Sequence, residues 1–486
     1  MDVKLRPLLI DKEFLAVNEL AKERILVMEK KNLWTVYNEE QLAHLEQVND
    51  AYKLFLDNGK TERECVREAV KLAKEAGYRD LNEVIENGET LKTGDCVYAV
   101  CMEKAIALFQ IGEEPLENGM NILGAHVDSP RIDLKQNPLY ENTEFAYLDT
   151  HYYGGIKKYQ WLTLPLAIHG VVVKKDGTKV DIVIGEDAAD PVLVITDLLP
   201  HLAADQMQAT AAKLVEGDKL DLLIGSKPLK DTEKDAVKAG VAAILNEKYG
   251  IEEDDFISAE IEIVPAGKAR DCGIDRSMIH AYGQDDRVCG FTSLLAMLEV
   301  KNVKRTACCL LVDKEEIGSV GATGMQSRFF ENTVAELVNL LGDYSELKVR
   351  RALANSKMLS SDVSAAFDPM FEGVFERKNT AFFGKGICFN KYTGSRGKGG
   401  SNDANPEYIA HLRDIMDKNG VAYQTAELGR VDVGGGGTIA YILANYGMEV
   451  IDSGVPVLSM HAPWETTSKA DVYEAYRGYK VFLKEA

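Results

Sequence analysis

The stretch Cys308–Gly324, CCLLVDKEEIGSVGATG, decides the fold. Its residues Leu310, Leu311 and Val312 form a short apolar run that reads as a buried strand. The run breaks into the charged turn Asp313-Lys314-Glu315-Glu316, then into small residues, and a helical pattern starts near Gln326. Open α/β sheets place their ligands at the carboxyl ends of such strands. Adjacent side chains in extended or turn backbone diverge, so Glu315 and Glu316 can take different tasks in one pocket. One acid can hold a metal ion while the other moves protons. A solvated acidic turn has the same composition, and residues elsewhere in the chain decide between the two.

Other apolar runs end in the same way. Asn121–His126, NILGAH, leads into His126-Val127-Asp128-Ser129-Pro130, and on extended backbone His126 and Asp128 share a face. That pairing suits a metal-bound imidazole whose second ring nitrogen is held by a carboxylate. Gly283-Gln284-Asp285-Asp286-Arg287 opens a helix over 288–300, Lys357–Ser361 runs into Asp362, and Val455–Met460 ends at His461. The strand ends thus collect His126, Asp285, Glu315, Glu316, Asp362 and His461. Imidazoles and carboxylates without cysteine suit catalytic zinc, or cobalt or manganese in the same cage. Five ligands exceed what one catalytic zinc with an open position takes, and match two divalent ions per chain if one carboxylate bridges. A sixth acid, left unligated, is then free to act as general base.

The chain has 486 residues, 46% hydrophobic and 27% charged, which suits a globular protein with more than one domain. Its formal net charge of −21 argues against a nucleic-acid partner and against anionic membrane surfaces. No apolar run approaches the roughly 20 residues of a membrane span, and the opening MDVKLRPLLIDKEF lacks a signal-peptide core. The 8 cysteines are scattered without CxxC pairs, so neither a disulfide framework nor a thiolate zinc site is expected, and the expected location is cytoplasmic.

Apolar spacing predicts helices over 10–78, with Phe14, Val17, Ala21, Leu42, Leu45 and Val48 on their buried faces, continuing toward Leu108. Between 132 and 276 short strands dominate. They include Trp161–Ile168, a hairpin through Asp176-Gly177, Val192–Thr196 and Ile261–Val264, around a charged span from Glu216 to Asp255. This pattern predicts a β-rich domain at 132–276 inserted into an α/β domain made of 1–131 and 277–486. The polar loop Lys391–Asn405 is a candidate substrate loop. The run Asp432–Thr438, with four glycines, lacks the P-loop lysine and the GxGxxG spacing of a nucleotide site.

HVDSP, QDDR, DKEEIGS, SSDVSAAFDP and SMHAPWE, in that order, resemble the aspartyl aminopeptidase and aminopeptidase I family. Tyr153-Gly154-Gly155, Trp161-Leu162 and Leu199-Pro200-His201-Leu202-Ala203 extend the resemblance almost end to end. It implies a dinuclear zinc aminopeptidase with a mixed sheet flanked by helices and an inserted β-rich assembly domain. It also implies peptide substrates and a large homo-oligomer, often a dodecamer. By the resemblance His126 and Asp362 hold one metal, Glu316 and His461 the other, and Asp285 bridges. Glu315 is the general base and Asp128 orients His126. Lys391 and Arg396, with Lys398, and His201 are the expected substrate contacts. Family members that select acidic residues carry a histidine shortly after the PHLA stretch, where this chain has Asp205, so a broader or neutral preference is expected. An amidohydrolase or deacylase using the same metals is the alternative activity, and a non-catalytic shell is disfavoured by the intact ligand set. A serine hydrolase is disfavoured because no GxSxG elbow occurs.

Overall fold

A computed structural model describes residues 31–394 and 399–486. The helix expected over 10–30, with Phe14, Val17 and Ala21, lies outside the described residues, as do Arg396 and Lys398. The main sheet has nine strands in the order Arg79–Asp80, Cys96–Cys101, Ala105–Gln110, Thr306–Val312, Met120–His126, Lys357–Ser360, Glu449–Gly454, Ile387–Asn390 and Tyr423–Thr425. The four central strands, Thr306–Val312, Met120–His126, Lys357–Ser360 and Glu449–Gly454, run parallel. Antiparallel pairings flank them, so the sheet is mixed.

Strand side chains alternate between two apolar layers, as a period of two requires. Cys309 and Leu311 pack on one face, and Cys308, Leu310 and Val312 on the other. The first face is covered by helices Glu39–Asn58, Gln284–Glu299 and Lys469–Glu485, the second by Phe329–Leu340 and Glu346–Ala354. Burial on both faces explains why these strands read as continuous apolar runs. Val312 pairs with His126, and Ser360 with Gly124, so the Glu315-Glu316 turn, His126 and Asp362 leave the same end of the sheet.

A five-stranded sheet, Arg270–Cys272, Met278–Ala281, Glu465–Ser468, Pro456–Leu458 and Ser364–Ala365, ties the segments around Asp285, Asp362 and His461 to one another. A six-stranded antiparallel sheet draws all its strands from residues 131–265 and has its own apolar cluster, with Ile132, Leu148, Trp161, Leu166, Ile182, Phe256 and Ile263. Its Leu166–Val173 and Lys179–Ile184 strands form the hairpin through Asp176-Gly177.

Local structure departs from the sequence reading in three places. Helices do not continue to Leu108: after Leu81–Glu86, Cys96–Cys101 and Ala105–Gln110 form an antiparallel hairpin. Met102 and Glu103 make its turn at φ of 50° and 61°, without the Asn-Gly or Asp-Gly that signals such a turn in sequence. Val192–Thr196 makes only isolated bridges, Leu193 to Leu166 and Val194 to Leu223. The charged span 216–255 contains the strand Leu222–Gly225 and the helix Ala236–Tyr249.

Candidate metal centre

Six side chains named from sequence converge on one cavity of about 1430 Å³: His126, Asp285, Glu315, Glu316, Asp362 and His461 all line it. They form two groups that share Asp285. Donor atoms of His126, Asp285 and Asp362 lie within 4.8 Å of one another, and so do those of Asp285, Glu316 and His461. His461 Nε2 is 3.0 Å from Asp285 Oδ2 and 3.5 Å from Glu316 Oε1, and His126 Nε2 is 3.7 Å from Asp362 Oδ1.

Both imidazoles turn Nε2 toward the candidate ligand carboxylates and Nδ1 toward a backbone carbonyl. That of His126 is 3.2 Å from the Asp128 carbonyl and 3.6 Å from its Oδ1, and that of His461 is 3.1 Å from the Gly155 carbonyl. An acceptor at Nδ1 keeps the proton there and leaves the Nε2 lone pair facing the carboxylates, the arrangement of a ligand imidazole.

Two buried carboxylates build the scaffold. Asp128 Oδ1 accepts from the Glu315 amide at 3.0 Å, and its Oδ2 from the Glu316 amide at 3.2 Å and the Tyr153 hydroxyl at 2.9 Å. Glu465 Oε2 accepts from the amides of Gln284 and Asp285 at 2.6 and 2.9 Å, and its Oε1 from that of His461 at 2.7 Å. Glu465 was visible only as the last residue of SMHAPWE, where nothing assigns it a task. Its partners are about 180 and 4 residues away, so the fold alone reveals it. The backbone is held under strain here: Lys314 at φ 72° starts the acidic turn, and His461 sits at φ 63°. Non-glycine residues in this region cost about 1–3 kcal/mol each and cluster at functional sites.

The electrostatics call for a cation. Burial pushes the Glu315 carboxyl up to about 8; His126 opposes the shift, and Asp362, Asp128 and Asp285 add to it. Burial likewise raises Glu316, with Asp286 and Asp285 adding to it against His461. Among the described residues no lysine or arginine pairs with Asp285, Glu315, Glu316 or Asp362. The donor set, imidazole nitrogens and carboxylates without thiolate, fits zinc, cobalt or manganese. Asp286, next to the shared acid, is wholly buried with its Oδ1 3.8 Å from His126 Nδ1, and burial together with Asp285 pushes it up to about 6.

Two of the expected substrate contacts, Lys391 and His201, are placed elsewhere. Lys391 does not line the cavity: it pairs with Asp403 and lies over the Tyr392 ring at 4.1 Å. His201 is exposed on the Pro200–Leu202 turn, also away from the cavity, and Asp205 is exposed nearby. The glycine run Gly434–Gly437 lines the cavity, as do two cations the sequence reading passed over, Lys157 and Arg430.

The family described as aminopeptidase I zinc metalloprotease (M18) matches residues 55–483. A Clostridium acetobutylicum protein named "Probable M18 family aminopeptidase 1" is 63% identical over 459 residues, covering 94% of this chain and 99% of that protein. The crystal structure of an M18 aminopeptidase from Thermotoga maritima superposes with a TM-score of 0.89 at 43% identity, covering 94% of this chain and 100% of that one. The S. cerevisiae mApe1 dodecamer, 20% identical with a TM-score of 0.73 over 91% of this chain and 97% of that one, shares the fold. The chain belongs to the M18 family of aminopeptidase I zinc metalloproteases and is a metal-dependent aminopeptidase.

Proposed function

We propose that this aminopeptidase removes single residues from peptide N-termini with two divalent metal ions and Glu315 as general base. The observation that carries the reading is the sharing of Asp285 between two donor groups. In this reading His126 and Asp362 would hold one ion and Glu316 and His461 the other, with Asp285 available to both. Asp128 keeps His126 in the ligand tautomer through Nδ1. The bound pair would supply Lewis acidity, lowering the pKa of water toward about 7. Glu315 lies beside the ligands but in neither donor group. Its carboxylate takes the proton of the attacking water and delivers it to the amine nitrogen of the leaving peptide.

The same proposal extends to assembly and location. Residues 132–276 are read as an inserted module, and its segment 192–207 exposes Val192, Leu198, Leu199, Leu202 and Met207. An apolar surface of that kind fits burial in a homo-oligomer, and the yeast fold relative is described as a dodecamer. Cysteines outside any disulfide, such as the buried Cys65, Cys289, Cys308 and Cys309, fit a reducing cytoplasm. Among the described residues no helix is long and apolar enough to cross a membrane.

The test is to strip the metal and reload with zinc, cobalt or manganese. Cleavage of peptides with a free N-terminus is then compared with cleavage of the same peptides N-acetylated. Restored activity on free termini alone supports the reading. Activity on the N-acyl bond itself would favour an amidohydrolase.

A further inference from the structure

The six-stranded sheet reaches the metal centre through the end of one strand, Phe145–Tyr153, and the two glycines after it. Tyr153 donates its hydroxyl to Asp128 Oδ2 at 2.9 Å. Asp128 in turn holds the amides of Glu315 and Glu316 and faces the His126 ring. At Gly154, φ 73°, a Cβ would stand 3.1 Å from Glu316 Oε2 and 3.3 Å from Glu316 Cβ, so a side chain there would crowd that acid. The Gly155 carbonyl lies 3.1 Å from His461 Nδ1. Three consecutive residues therefore border Asp128, Glu316 and His461.

Tyr153 is itself anchored. It pairs in register with Arg131, whose guanidinium lies 3.9 Å from the Tyr153 ring centroid. Arg131 is buried and pairs with Asp133 at 2.8 Å, Glu262 at 3.1 Å and Glu62 at 3.5 Å. A guanidinium fixed by three carboxylates from two strands and a helix gives the ring one seat, and a desolvated cation over an aromatic face is strongly held. The phenol oxygen is thus set by the sheet rather than by the loop it contacts.

We propose that Tyr153 is a positioning residue of the metal centre: its hydroxyl fixes Asp128, and through it the Glu315-Glu316 turn and the His126 ring. The inference rests on the metal-centre reading above. Partners that orient ligands typically change metal affinity or activity by about 10- to 100-fold when removed. Tyr153→Phe deletes the hydroxyl and keeps the ring under Arg131. Tyr140→Phe is the control, because Tyr140 donates to Asp221 at 2.5 Å in the same sheet and does not line the cavity.

The experiment measures zinc release to a chromophoric chelator, the visible spectrum of the cobalt-loaded enzyme, kcat, KM and the thermal midpoint. Tyr153→Phe should release zinc about 10- to 100-fold faster, alter the cobalt spectrum and lower kcat, with KM and the midpoint close to wild type. Tyr140→Phe should change none of these site readouts. A Tyr153→Phe enzyme with zinc release, cobalt spectrum and kcat like those of metal-loaded wild type overturns this inference alone. Parallel losses in both variants that track a lowered midpoint also overturn it, because the role is then structural. A wild-type chain that holds no divalent metal overturns the metal-centre reading and this inference with it.

Discussion

At the scale of single residues, Glu315 and Glu316 are adjacent in sequence but occupy different surroundings. Glu316 sits with Asp285 and His461, whereas Glu315 belongs to neither donor group. Glu315→Gln should therefore keep both metals and lose about 10²–10⁴-fold in turnover, the worth of a general base. Metal analysis alongside kinetics checks it, and loss of metal would reassign Glu315 as a ligand. Asp285→Ala should release both metals together, whereas His126→Ala and His461→Ala should each weaken one. Titrating metal per chain separates a shared ligand from three independent ones. His126, Glu315, Glu316 and His461 are legible because each follows an apolar run, and strand ends are where a parallel sheet presents polar groups, whereas Asp285 opens the helix Gln284–Glu299 and is picked out by the family resemblance. Glu465 and Tyr153 were not legible as functional. Their work is to bind backbone amides and a carboxylate brought close only by folding.

At the scale of elements, we propose that substrate preference follows the loops that bring charge to the cavity lining. The Lys391 loop looked the stronger candidate because its basic residues are dense in sequence. Spatially, Lys391 is paired with Asp403, 12 residues on. Lys157 follows the glycines that border Glu316 and His461, and Arg430 precedes the glycine run Gly434–Gly437, which also lines the cavity. Neither makes an ion pair among the described residues, so each is free to meet a substrate carboxylate. Lys157→Ala and Arg430→Ala should each lower kcat/KM for Glu-initiated peptides relative to Leu-initiated ones, by up to about tenfold, since both side chains are solvent-exposed. Lys391→Ala should leave the ratio nearly unchanged. The reverse ranking would return specificity to the Lys391 loop. The same lesson applies to the Cys96–Gln110 hairpin: its strands are plain apolar runs, but Met102-Glu103 carries no turn signal, so a helical reading was open.

At the scale of the whole molecule, the six-stranded sheet meets the helix Glu62–Glu75 and the hairpin Cys96–Gln110 of the main sheet across a polar junction. Ion pairs span it: Arg131 with Glu62, Arg63 with Glu260, and Lys104 with both Glu62 and Glu260. His169, buried on the six-stranded sheet, bridges Glu64 of the helix Glu62–Glu75 at 2.8 Å and Glu186 at 3.3 Å, with Lys60 3.8 Å from Glu186. Burial works to lower the His169 pKa, but its hydrogen bonds to Glu186 and Glu64 and their charges outweigh it, and the pKa is raised. A raised folded-state value means that the folded protein binds this proton more tightly than the unfolded chain. The stabilisation is therefore fully present below the unfolded value of about 6.5 and is lost as pH rises through the higher folded value. His169→Gln should cost about 2 kcal/mol at pH 6, the scale of a buried charge-assisted hydrogen bond. It should also flatten the decline of the unfolding midpoint between pH 6 and pH 9. Both proteins are measured fully metal-loaded, so that proton-linked metal binding enters each equally and the difference in slope reports the junction. Parallel slopes would mean that His169 is neutral in the folded protein and that the glutamates beside it are satisfied by Lys60 instead.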